Sequence, residues 1–91
     1  MPYLAEYTDT FGGEPNYCWV RRATVEAPDN ATMRQVLLLA RRALGLTGIR
    51  GDITFDQGDE WHWKPRGWCT VLMVRWDDAI TEQNQPAISA G

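Results

Sequence analysis

The side chains that could do chemistry are few in this chain. One histidine, His62, stands between Trp61 and Trp63, and two cysteines, Cys18 and Cys69, lie in apolar runs. Nucleophilic catalysis needs a thiol or hydroxyl beside a base that a third group orients. Cys18 or Cys69 with His62 is the only such pairing, and an apolar setting disfavours the thiolate. The cysteines therefore read as buried free thiols. A lone histidine lacks the companion ligands a metal site requires, and on a strand it points away from its two tryptophan neighbours. The acids Asp52, Asp56, Asp59 and Glu60 gather around one turn. They do not fit a calcium loop, and a hairpin tip would leave them solvated. Gly12-Gly13 and Gly45-x-x-Gly48 lack the strand, lysine and helix start of a phosphate loop. No catalytic residue, cofactor or metal is expected, and the chain reads as a non-enzyme.

Two residue types remain in excess. Eight of the nine basic residues are arginine, and five of the ten aromatic residues are tryptophan. Arg21, Arg22, Arg34 and Arg41 could form a basic patch that, with interleaved aromatics, stacks on single-stranded nucleic acid. The net charge of −3 lacks the basic excess usual in such proteins, which makes this the second reading. Exposed tryptophan and arginine are also the types that dominate protein interfaces. A small core can absorb two or three indoles, so some are expected outside. Trp61, Trp63, Arg66 and Trp68 are the expected protein contacts. Asp9, Phe11 and Glu14 of the Asp9–Asn16 loop, and Asp56, Asp59 and Glu60 of the following hairpin, are expected beside them.

The elements that must position these residues follow from periodicity. Pro2–Thr8 alternates as a strand, with Tyr3, Ala5 and Tyr7 on one face. Residues 9–16 read as a turn-rich loop in which Pro15 stops pairing. Tyr17–Ala27 is a second strand, and a bulge near Arg21-Arg22 would bring Cys18, Val20, Ala23 and Val25 inward. Thr32-x-x-Gln35 fits a capping box. Met33, Val36, Leu37, Ala40, Ala43 and Leu44 recur at helical spacing, and Gly45-Leu46 suits a Schellman close. Ile49–Phe55, Glu60–Lys64 and Trp68–Trp76 read as three further strands. The last is apolar on both faces, which suits a central place in the sheet. The fold class is α+β: one helix on a mostly antiparallel five-stranded sheet, in the order β-β-α-β-β-β. Residues 1–80 form one domain, and 81–91 read as a disordered tail.

Ninety-one residues suffice for one core. The N-terminal segment does not read as a signal peptide, and no apolar run is long enough to span a bilayer. The expectation is a cytoplasmic protein.

The run Tyr7-Thr-Asp-Thr-Phe-Gly-Gly-Glu14, then Asn16-Tyr-Cys-Trp-Val-Arg-Arg22, Ala43-Leu-Gly-Leu-Thr-Gly48 and Cys69–Leu72 resembles small accessory proteins of phages, prophages and plasmids. That resemblance implies a host-takeover factor of the anti-CRISPR kind. Such a factor would occupy the surface of a host defence protein, such as a CRISPR–Cas component, inside a bacterial cell. The leading expectation is thus a protein-binding inhibitor, and the alternative is a small nucleic-acid-binding module.

Overall fold

The computed structural model describes residues 1–76. The tail expected at 81–91, and the end of the domain at residue 80, lie outside the described residues. The elements are β1 (Pro2–Phe11), β2 (Glu14–Glu26), α1 (Met33–Ala43), β3 (Gly51–Gln57), β4 (Glu60–Pro65) and β5 (Thr70–Trp76). They form the α+β architecture that the periodicity predicts. The five strands make one antiparallel sheet in the order β2-β1-β5-β4-β3. The doubly apolar β5 is central, flanked by β1 and β4. It joins two hairpins, β1–β2 and β3–β4, that do not touch by strand pairing.

Helix α1 is bounded as its sequence dictates. Thr32 Oγ1 accepts from the Gln35 amide at 3.2 Å, and Gln35 Oε1 accepts from the Thr32 amide at 2.8 Å. This reciprocal pair satisfies amides that the first turn leaves without partners. At the other end the Leu46 amide donates to Arg41 O at 2.7 Å and the Gly45 amide to Arg42 O at 3.2 Å. These are the two bonds of a Schellman close, and Gly45 at φ 75° supplies the left-handed residue it needs. Val36, Leu37, Ala40 and Leu44 are buried beneath the helix. Burying each of the larger three contributes about 1.5–3 kcal/mol before entropy is subtracted. Ala43, placed in the buried stripe by spacing, is exposed.

The core lies between α1 and one face of the sheet. Tyr3, Ala5, Val25, Trp61, Trp63, Leu72 and Val74 come from that face. The opposite face carries Leu4, Glu6, Arg22, His62, Met73 and Arg75. Cross-strand partners share a face, and Arg22, Glu6, Met73, His62 and Phe55 form one continuous row across all five strands. Glu6 bridges Arg22 at 2.8 Å and Arg75 at 3.3 Å. His62 stacks on Phe55 with centroids 4.6 Å apart and meets Glu60 at 2.8 Å. It points away from its tryptophan neighbours, as strand alternation requires.

Several local expectations give way. The Asp9–Asn16 stretch is not an open loop. The strands continue to Phe11 and resume at Glu14, closed by Gly12 at φ 63° and Gly13 at φ 85°. Two consecutive positive-φ residues make the tight hairpin turn whose twist matches the strands. Pro15 pairs opposite Thr10, which is tolerated because β2 is an edge strand. The bulge lies not at Arg21-Arg22 but at residues 16–19, which stand opposite Asp9 alone. Cys18 and Cys69 are both exposed rather than buried. One sits in that bulge and the other in the β4–β5 turn, where apolar neighbours no longer imply burial.

Candidate functional site

The two hairpins expected to flank one surface lie at opposite ends of the sheet. Asp9 pairs with Thr70 at the start of β5, whereas Glu60 pairs with Arg75 near its end. At the strand rise of ~3.3 Å per residue, those five residues of β5 put about 17 Å between Asp9 and Glu60, and the Phe11 turn lies farther still. Asp56, Asp59 and Glu60 therefore cannot share a small contact patch with Asp9, Phe11 and Glu14. Trp61 and Trp63 belong to neither end. They are buried at 7% and 4% exposure under α1, because their shared face is the one the helix covers. Trp61 packs on Tyr3 at 5.6 Å, and the Arg41 guanidinium lies 4.5 Å from the Trp63 ring centroid. The expectation that these two indoles contact a partner is thus corrected: they are core.

What assembles at the Phe11 end is an aromatic rim. The Thr10 amide donates to Cys69 O at 2.8 Å, which ties the β1–β2 turn to the β4–β5 connection. Phe11 and Trp68 follow on either side of that bond. Phe11 is 81% exposed and Trp68 52%. Glu14 is exposed beside the turn. Arg66 stands in the same connection and grips Asp52 with two bonds, Nε to Oδ2 at 3.0 Å and Nη2 to Oδ1 at 2.9 Å. The Arg66 hydrogen bonds hold the Asp52 carboxyl below its usual range, and the same bonds raise Arg66.

The bulge adds two aromatics that sequence reasoning missed. Thr8, fully buried, accepts from the Tyr17 amide at 3.1 Å and donates to Trp19 O at 2.8 Å. Asp9 Oδ1 accepts from the Cys18 amide at 3.1 Å, and Oδ2 accepts from Asn16 Nδ2 at 2.8 Å. The Asn16 bond is the main reason that the Asp9 carboxyl lies below its ordinary pKa, with the Cys18 amide second among the lowering contacts. Two side chains thus replace the missing backbone ladder. They hold Tyr17 at φ 57°, the single non-glycine residue with positive φ among those described. A bulky residue there is strained by about 1–3 kcal/mol, and such strain concentrates at functional positions. Tyr17 reaches across the open face to Met73, Oη to Sδ 3.8 Å, while Trp19 packs edge-on against Tyr7 at 5.5 Å on the helix side. Both remain exposed, at 51% and 42%. The available signal was the trio Thr8, Asp9 and Asn16, short polar side chains of the kind that bond nearby backbone.

The arginines of the second reading do not form one patch. Arg22 is on the open face with Glu6. Arg34 and Arg41 line a groove on the helix side, and Arg21 lies near Gly45 at the helix end. No group of three or more potential metal ligands occurs among the described residues, and no described helix is long and apolar enough to cross a membrane. No protein-family model, curated protein or solved structure matches this chain.

Proposed function

We propose that this protein is a non-enzymatic binding protein that docks on another protein through the aromatic rim at the Phe11 end of its sheet. The resemblance to mobile-element accessory proteins makes the partner a host defence protein, in the manner of an anti-CRISPR inhibitor. The observation that carries the docking reading is the pair Phe11 and Trp68. Both are solvent-exposed, Phe11 beside a two-residue turn, and the Thr10–Cys69 backbone bond ties together the segments that carry them. Large aromatic side chains presented from a rigid frame lose little entropy on association and fill pockets well. Trp19 and Tyr17 widen the rim, and Glu14 gives it a polar border. Arg66, already neutralised by Asp52, serves as a border residue rather than an anchor.

The test is the double variant Phe11→Ala/Trp68→Ala, assayed for protection of a phage against a CRISPR-armed host and for co-purification with the defence complex. The expected result is loss of both with an unchanged melting temperature. Full protection by the folded double variant would remove the rim as the site. The nucleic-acid reading is disfavoured by the division of its arginines between two faces of the sheet.

A further inference from the structure

A second feature shares only the border residue Arg66 with the rim. Between α1 and the start of β3 run two adjoining recesses of about 260 and 370 Å³ that share Arg41, Gly51 and Trp63 as walls. Arg34 borders one, and Arg50 and Arg66 border the other. Although the chain carries a net charge of −3, no acidic residue among those described lines either recess. Among the described residues, Arg66 alone of the four arginines has a carboxylate partner, Asp52. Arg34 and Arg50 are exposed, and neither lies within ion-pair distance of a described carboxylate. Arg41 is half-buried. Its Nη2 donates to Ile49 O at 2.6 Å, its guanidinium rests on Trp63, and its buried Nε has no acceptor. Three uncompensated guanidinium groups thus face one groove, against the low-dielectric wall of an indole. Like charges converging on a concave surface concentrate a counter-ion there.

We propose that this groove binds a compact polyphosphate, free or as the phosphate tail of a nucleotide. Guanidinium forks match carboxylate and phosphate oxygens alike. A carboxylate, however, offers two oxygens and one charge to three cations, whereas a di- or triphosphate supplies enough of both. Taken together, the adjoining recesses have the volume of a small-molecule site.

Nitrogen-15 NMR of the whole chain, titrated at low ionic strength with inorganic triphosphate, tests this. Shifts are expected to be confined to the Gly51 amide, the Trp63 indole N–H and the Arg34, Arg41 and Arg50 Nε signals. The double variant Arg34→Ala/Arg50→Ala, whose side chains hold no described element together, should bind triphosphate about tenfold more weakly or worse, since charge-assisted hydrogen bonds carry the affinity. Arg42→Ala, on an exposed part of the helix outside the groove, should bind as the parent does. Equal shifts at Arg21, Arg42 and Lys64, or unchanged affinity in the double variant, would overturn the proposal. ATP should match or exceed triphosphate. A short single-stranded oligonucleotide that bound more tightly than both would replace the small-ligand assignment with a backbone-tracking one. Phe11 and Trp68 line neither recess, so this site and the docking rim stand or fall separately.

Discussion

Trp61 and Trp63 on one side, Trp19 and Trp68 on the other, show the same residue type put to opposite uses. The first pair alternates along β4, one strand in from the edge of the sheet, on the face that α1 covers. Both indoles are sealed, one against Tyr3 and one under Arg41. The second pair sits where the sheet runs out, in a bulge and a turn, and stays exposed. What decides the fate of an indole here is its height along the strands and the face it occupies, not its apolar surroundings in sequence. The pairs also differ in what fixes them. Packing holds Trp61 and Trp63, whereas the Thr8 and Asp9 side chains, bonded to backbone, and the Cys69 carbonyl, which accepts from the Thr10 amide, hold the stretches that carry Trp19 and Trp68.

That contrast can be broken most forcefully at the buried pair. Trp63→Ala should cost about 3–5 kcal/mol in urea denaturation, the range for emptying a large aromatic site, while Trp68→Ala should stay within about 0.5 kcal/mol. Similar losses in both would erase the distinction. Gly51→Ala comes next. A Cβ there would collide with the Trp63 ring and meet Lys64 O at 2.5 Å. Displacing the indole should cost about 1–3 kcal/mol, as overpacking does, with a blue-shifted Trp63 fluorescence giving way to a redder one.

On the rim side, Thr8→Val keeps the shape but strips the hydroxyl that serves Tyr17 and Trp19. Leaving those backbone groups unpaired should cost about 1–3 kcal/mol and accelerate hydrogen exchange at the Tyr17 amide, with the Trp61 amide unaffected. The smallest effect is that of acid. The Asp9 carboxyl is held below its ordinary value in the folded protein, so its stabilising contribution is complete above the unfolded pKa of ~3.9. It is lost as pH falls through the lower folded value. The Cys18 amide resonance should move over that lower window, and Asp9→Asn should abolish the movement. A transition of the Cys18 amide above pH 5 would contradict the assignment.

Much of this architecture was legible beforehand. Thr32 and Gln35 announced the helix start, and Gly45-Leu46 announced its end. The two-sided apolar run of β5 announced its central place. Strand alternation correctly put Trp61 and Trp63 on one face with His62 on the other, yet it is silent on which face a helix will cover. Nor does it give strand order. Only the insertion of β5 between the two hairpins carries the Asp56–Glu60 turn about 20 Å from the Phe11 turn and splits the expected contact surface in two. The bulge was misplaced because residue patterning treated Cys18 and Val20 as a pair seeking burial. In sequence Thr8 reads as the end of a strand and Asp9 and Asn16 as ordinary loop composition, yet these three polar side chains are what pull the backbone out of register. The aromatic rim was therefore half visible, as Phe11 and Trp68, and half hidden, as Tyr17 and Trp19.

The central position of β5 has a consequence for how the molecule comes into being. As the chain leaves the ribosome, two ribbons emerge in turn with the helix between them, and neither can join the other. Their common neighbour is the last strand described, so no continuous sheet exists until it has been synthesised and threaded between them. An assembly that closes on its final piece favours a single late, concerted step, with a rate limited by bringing distant stretches of chain together. Until then both inner edges stand unpaired and open to misassociation.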